Sequence, residues 1–261
     1  MSQQVLPLLK PIGITPLQLL KLLKEKNPTF QNKKLGFAGR LDPMAEGILI
    51  VLVDEENKKR KLYENLPKVY EFSAVFGIET DTYDTLGKMI TSTVPKAGLE
   101  TKLKQILPSY IGKKSQPYPP YSSRTVDGKP LYYYARRGLL ESITIPSKVR
   151  EIKALSLQRS EEILGDALED FITNRITKVQ GDFRQQEILP GWRTFFATRK
   201  SMPFSIFHFR ISCSSGTYIR SLVHELGQML GCGGTTLSIN RRAVGPYTVE
   251  KGIPVSGFAL L

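Results

Sequence analysis

Two kinds of apolar pattern alternate along the chain. The run "ILIVLV", Ile48 to Val53, is continuous, as in a strand covered on both faces, and predicts a strand over about 47–53. By contrast "KVYEFSAVFG" alternates, with Tyr70, Phe72, Ala74 and Phe76 set against Glu71, Ser73 and Val75, the period of a half-buried strand. Before them, "PLLKPIGITPLQLLKLLKEK" reads as a short extended piece, a turn, and a helix capped by Thr15 with Pro16 in its first position. Leu19, Leu20, Leu22 and Leu23 give that helix its core face. A polar helix is expected at about 55–66, a turn-rich loop over "IETDTYDTLGK", and a helix near 99–107. The prolines of "QPYPPYSSRTVDGKPLYYYARRG" oppose regular structure until a short helix carrying Arg136 and Arg137.

Strand signals return at about 148–158. Residues 160–203 then break the pattern: "EEILGDALEDFITNRI" is amphipathic and helical, whereas "QQEILPGWRTFFATRKSMP" reads as irregular, so this stretch is expected to be an insertion between strands. The chain closes with strand "FSIFHFRISCS", helix "TYIRSLVHELGQMLG" and the strand-like "TTLSINRRAVGPYTVE". Ser215, Gly216 and Thr217 are placed to cap that helix, whose core stripe is Ile219, Leu222, Val223, Leu226 and Leu230. Strands and helices are interspersed and several strands alternate sides. The expected fold is α+β, a mixed, largely antiparallel central sheet with flanking helices, over residues 1–261 as one domain.

Charge narrows the partner class. Lysine and arginine outnumber acidic residues 37 to 24, a net charge of +13, and nucleic acid is the leading partner for such a surface. No run of 18 apolar residues and no signal-peptide pattern occurs, so a cytoplasmic protein without membrane contact is expected. Two cysteines and two histidines without ligand spacing argue against a metal centre, and neither GxGxxG nor GxxxxGK[ST] appears. The chemistry is expected to need no metal and no cofactor.

Two stretches carry residue types beyond packing needs. "KKLGFAGRLDPMAEG" places one carboxylate, Asp42, in a glycine-containing loop just before the buried strand. Asp-Pro is also an ordinary turn element. "SSGTYIRSL" sets Tyr218 and Arg220 two residues apart where a strand passes into a helix.

Five segments taken together, "LKPIGIT", "GFAGRLDPMAEGIL", "KVYEFSAVFGIETDTYDTLG", "PPYSSRTVDGKPLYYYARRG" and "SSGTYIRSLVHELGQMLGCG", resemble in order and spacing the TruB-type tRNA pseudouridine synthases, which isomerise uridine 55 of the T loop. The resemblance implies the pseudouridine synthase fold, with Asp42 as the catalytic carboxylate. That carboxylate acts either as a nucleophile toward the sugar or as a base that yields a glycal-like intermediate. It also implies Arg220 as the partner of Asp42, Tyr70 as the ring stacked under the flipped uracil, Tyr218 as a second pocket aromatic, Ile239 as an apolar wall, and Lys10 as a nearby basic residue. A paired base must be extruded to reach such a site. The T arm of tRNA is the implied partner, bound by a monomer.

Candidates for the RNA face are Arg124, Lys129, Arg136, Arg137, Arg241 and Arg242, with Phe37 as a ring against the RNA. Three positions depart from the family pattern: Phe37 stands where histidine is usual, Glu46 where a small residue is, and Thr125 where lysine is common. Many bacterial relatives carry a C-terminal PUA domain; eleven residues follow Glu250, and that domain is expected to be absent. Two alternatives stay open from sequence: the same chemistry on ribosomal RNA, and a non-catalytic RNA-binding module.

Overall fold

The computed structural model of the protein describes residues 4–95 and 97–254. Strand β1 (Val5–Lys10) passes through a turn at Gly13 into helix α1 (Pro16–Lys26); β2 (Leu35–Ala38) and β3 (Ala45–Val53) flank the loop that carries Asp42, and α2 (Arg60–Asn65) leads to β4 (Lys68–Phe76). A ribbon of β5 (Ile78–Thr80) and β6 (Met89–Ser92) precedes α3 (Leu99–Ile106) and β7 (Gly112–Pro117). Next come the hairpin of β8 (Thr125–Val126) and β9 (Lys129–Pro130), then α4 (Leu131–Arg136). The second half runs β10 (Ser147–Leu164), α5 (Gly165–Thr177), α6 (Gln185–Phe196), β11 (Pro203–Cys213), α7 (Ile219–Leu230), β12 (Gly234–Val244), β13 (Tyr247–Thr248) and β14 (Ile253–Pro254).

The main sheet has the order β14-β1-β3-β12-β4-β11-β10-β7. Its pairs are antiparallel except β1 with β14 and β3 with β12, so the expected mixed, largely antiparallel sheet is what forms. Register then places the site. Ile239 lies opposite Ala45 on one side and Phe72 on the other, and Tyr70 lies between Arg241 and Ile211. Gly47 has φ +105, and a Cβ there would sit 2.3 Å from the carbonyl oxygen of Arg241, so only glycine lets β3 and β12 close together.

Local chemistry sets the elements. Thr15 Oγ1 accepts from the Gln18 amide at 3.2 Å and the Gln18 side chain accepts from the Thr15 amide at 2.7 Å, a capping box ahead of Pro16. The polar segment after Val53 is a 3-10 turn, Asp54–Lys59, followed by α2, rather than one helix. Asp54 takes φ +51, and the Asn57 amide donates to the carbonyls of Lys34, Leu52 and Asp54, which holds this segment back on the sheet.

β4 is not half-buried in its second half. Phe72, Ala74 and Phe76 pack with α3 and α7 residues Leu103, Leu222 and Leu226, while Val75 joins Leu168, Ile172, Trp192 and Phe196 of α5 and α6 on the opposite face. Ser73, buried between them, pairs its hydroxyl with Ser238 at 2.6 Å. The helical excursion begins later than 160: β10 continues to Leu164, paired with Pro203, so α5 and α6 fill the connection between two antiparallel neighbours. "QQEILPGWRTFF" is helical despite Pro190, because Ile188, Trp192, Phe195 and Phe196 bury their side chains on one side.

Candidate active site

The loop between β2 and β3 is fixed from behind. Gly39, at φ +77, turns the chain, the Ala45 amide donates to the Asp42 carbonyl at 3.1 Å, and the Gly13 amide donates to the Pro43 carbonyl at 2.8 Å. Arg175 of α5 donates through Nη2 to the Met44 carbonyl at 3.1 Å. The Asp42 side chain is thereby left one-third exposed, 34 %, at the cleft floor.

Its partner is Arg220, near the start of α7 and 4 % exposed. Nε donates to Asp42 Oδ2 at 2.8 Å, Nη1 to the Thr82 carbonyl at 2.7 Å and Nη2 to the Tyr121 carbonyl at 3.2 Å. A second carboxylate, Asp84, lies 3.6 Å from Nε. Burial alone would lower the pKa of this guanidinium, but Asp42 and Asp84 more than offset it and it titrates above its ordinary range. Burial pushes the Asp84 carboxyl up against the opposing pull of Arg220; its Oδ1 accepts from Thr82 Oγ1 at 2.8 Å and from the Leu86 amide at 2.9 Å.

Above this pair opens a cleft of about 730 Å³ lined by Tyr70, Tyr118, Tyr121, Tyr218 and Ile239. Burial raises the Tyr70 phenol above its ordinary value, so the ring stays neutral. Tyr218 meets Tyr118 edge-on, centroids 5.6 Å apart. The main chain of Tyr218 is held at both ends by Gln116, which accepts from its amide at 2.9 Å and donates to its carbonyl at 3.1 Å. Tyr218 itself is the N-cap residue of α7, without a side-chain cap; Thr217 donates instead to the Ser214 carbonyl, so the expected cap from Ser215 to Thr217 does not form.

The sequence candidates thus divide. Asp42, Tyr70, Tyr218, Arg220 and Ile239 come together around one cleft. Arg124, Lys129, Arg136 and Arg137 lie exposed on the segment that forms one wall, with Arg137 over the Tyr133 ring at 4.3 Å and Arg136 bonded to the Asp182 carbonyl at 2.9 Å. Lys10, Phe37 and Arg241 are buried and are not free RNA contacts. Lys10 is 1 % exposed and donates to the Pro11 and Ile14 carbonyls, both at 2.8 Å; burial lowers it to about 7. Arg241, also buried, reaches the cleft floor but spends its guanidinium on the carbonyls of Ile48, Arg40 and Gly39. Arg242 is paired with Glu250 at 2.6 Å. Phe37 is 6 % exposed inside the core of α1, β1 and β3, with Arg40 and Arg60 over its ring.

Sequence reasoning missed Thr82 and Asp84, although both stand in the quoted "TDTYD". It also missed Arg175 and Arg184, which join the helical excursion to the site. Arg184 holds Asp81 with two bonds of 2.7 and 3.1 Å and stacks at 4.4 Å over Tyr121, whose carbonyl receives Arg220. Among the described residues no three histidine, cysteine or acidic side chains gather where a metal would sit, and no helix is long and apolar enough to cross a membrane.

A family model, TruB family pseudouridylate synthase (N terminal domain), matches residues 26–181. The chain is 32 % identical over 257 residues to tRNA pseudouridine synthase B of Aromatoleum aromaticum, covering 98 % of this chain and 68 % of that protein. It is 33 % identical over 243 residues to tRNA pseudouridine synthase B of Blochmanniella pennsylvanica, covering 93 % of this chain and 75 % of that one. Against the same enzyme of Shouchella clausii it is 32 % identical, spanning 88 % of this chain but 64 % of the relative. Among solved structures, a chain of a Cbf5-Nop10-Gar1 complex superposes with a TM-score of 0.57 at 19 % identity, over 97 % of this chain and 52 % of that one. The chain therefore spans about two thirds of these curated relatives and about half of that solved chain. The fold is that of the pseudouridylate synthase class. The chain belongs to the TruB family within it.

Proposed function

We propose that the protein is a tRNA pseudouridine synthase that isomerises uridine 55 in the T loop, as a cytoplasmic monomer. One observation carries the reading: the one-third-exposed carboxylate of Asp42 in the cleft is gripped at 2.8 Å by a buried arginine whose other nitrogens are spent on fixed carbonyls. A module that only bound RNA would gain nothing from an acid there, because a carboxylate repels phosphate.

The reaction breaks the bond from N1 of uracil to C1′ of ribose, turns the base, and forms the C5–C1′ bond; C5 gives up a proton and N1 gains one. Asp42 supplies the oxygen that acts on the ribose. Arg220 keeps that carboxylate oriented. Tyr70 and Ile239 offer the aromatic and apolar surfaces on which an extruded, neutral uracil can stack and turn. Stacking and phosphate contacts on the basic surface offset the cost of unstacking, a few kcal/mol. Relatives named tRNA pseudouridine synthase B support tRNA as the substrate.

Pseudouridine mapping of RNA from cells with and without the gene tests the reading. Loss of the modification at position 55 of tRNA is the expected result; loss confined to ribosomal RNA would replace tRNA as the substrate.

A further inference from the structure

One wall of the cleft holds positive charge that the Asp42 site does not use. Arg150, on β10, is 5 % exposed, yet among the described residues no carboxylate pairs with it. Its Nε is fully buried with no hydrogen-bond partner, and Nη2 has only a long contact of 3.4 Å to the Tyr118 hydroxyl. A buried cation left this way costs free energy unless something anionic completes it. Every other deeply buried basic group at the cleft is satisfied: Arg220 by Asp42 and two carbonyls, Arg241 by three carbonyls, Lys68 by the carbonyls of Glu64 and Leu66.

The surroundings are built for an anion. Arg124 and Arg150 flank the same ring, their guanidinium carbons 5.3 and 5.6 Å from the Tyr118 centroid, and exposed Lys148 lines the same cleft. Neither Arg124 nor Lys148 has an acidic partner among the described residues. Against Arg150 runs the loop Ser215-Gly216-Thr217 that leads into α7. Gly216 has φ +73, and a Cβ there would lie 3.1 Å from the Arg150 guanidinium carbon, so the glycine lets the guanidinium lie flat against the loop. Tyr218 separates this pocket from Asp42 and feels the charge of both.

We propose that Arg150, with Arg124, Lys148 and the Ser215–Thr217 loop, forms a phosphate subsite that takes one RNA backbone phosphodiester next to the flipped nucleotide. This rests on the synthase reading and adds the contact that fixes the backbone while the base turns. A guanidinium gripping one phosphodiester supplies the rigid point about which a freed uracil can rotate without losing its ribose.

The test is a double-mutant cycle between protein and RNA. T-arm stem-loops, each carrying one neutral methylphosphonate linkage at a scanned position, are titrated with wild type and with Arg150→Met, with thermal melts to confirm folding. One linkage beside the target nucleotide should weaken wild-type binding about tenfold, and the same linkage should cost Arg150→Met less than twofold. If Arg150→Met does not fold, Lys148→Met and Arg124→Met carry the test, since both side chains are exposed and each should blunt the penalty at that linkage. Pseudouridine formation on the unmodified stem-loop is followed alongside. Turnover with no linkage whose penalty depends on these residues overturns the subsite and leaves the synthase reading standing, whereas no binding and no turnover takes down both. Displacement of RNA by uridine 5′-monophosphate that requires Arg150, with no linkage effect, would assign the pocket to a free nucleotide and overturn the proposal.

Discussion

At the scale of single residues, the arginine beside Asp42 is the most exposed to failure. Arg220 satisfies a carboxylate and two carbonyls and stands near a second carboxylate, Asp84. Arg220→Ala should cost about 3–5 kcal/mol of stability, because it strands buried charge, and should abolish turnover. Arg220→Lys should not rescue, since an ammonium cannot reach three directions at once; urea midpoints and single-turnover rates check both variants. Phe37 belongs to the opposite category. Phe37→Ala should lose about 3–5 kcal/mol through a core cavity while the folded fraction keeps its RNA affinity, and weaker binding with unchanged stability would move the ring back to the RNA face. The residue types at Asp42, Tyr70, Tyr218, Arg220 and Ile239 were legible because a motif ties each to the chemistry. Phe37, Lys10 and Arg241 were misplaced because a basic or aromatic residue near a motif does not reveal whether carbonyls and core side chains already satisfy it.

Glu225 offers a residue-level test by pH. Burial raises its carboxyl to about 7, and Oε1 has no partner. A carboxyl whose folded pKa exceeds its unfolded value contributes stability that is complete below the unfolded value and is lost as pH rises through about 7. Glu225→Gln should therefore match wild type near pH 4 and melt higher than wild type at pH 8. An equal gap at both pH values would show that the group is not destabilised by ionisation.

At the scale of elements, the helical excursion between β10 and β11 supports the site rather than decorating it. α5 and α6 cover the second face of the sheet, and Trp192 Nε1 donates to the Thr85 carbonyl at 3.0 Å, bracing the loop whose Thr82 carbonyl receives Arg220. The Gln180 amide donates to the Gly13 carbonyl at 2.8 Å, and Gly13 in turn holds Pro43 beside Asp42. Glu46 lies in the field of Arg175 from the same excursion. Trp192→Ala should lower stability by about 3–5 kcal/mol and slow turnover even where the protein remains folded, read by unfolding and by rates at a temperature well below the melt. Strand positions and α1 were legible because hydrophobic period and capping chemistry are local. None of α6 was, since Pro190 signals a break and only packing of Trp192 and Phe196 against the sheet overrides it. The two-sided burial of β4 was hidden for the same reason: its second cover arrives more than 90 residues later in the chain.

At the scale of the molecule, a net charge of +13 is meaningful only where it is unspent. Arg124, Lys129 and Arg137 are exposed, whereas Arg241 and Lys10 are consumed by backbone carbonyls. RNA affinity should fall steeply with salt, and neutralising any one exposed residue that meets a phosphate should reduce the slope of log K against log salt by about 0.7–0.9. Arg241→Met should leave that slope unchanged and lower stability instead. A slope that responds to Arg241 would mean that the buried arginine opens to the RNA.

The central claim is that Asp42 carries out the isomerisation inside a basic cleft that binds RNA without it. The most direct measurement is tritium release from a T-arm stem-loop labelled at C5 of its uridines, followed together with binding for wild type and Asp42→Asn. Wild type should release label with formation of one pseudouridine, and Asp42→Asn should release none while binding the same RNA within a few-fold of wild type. Release by Asp42→Asn at a rate comparable to wild type would contradict the account.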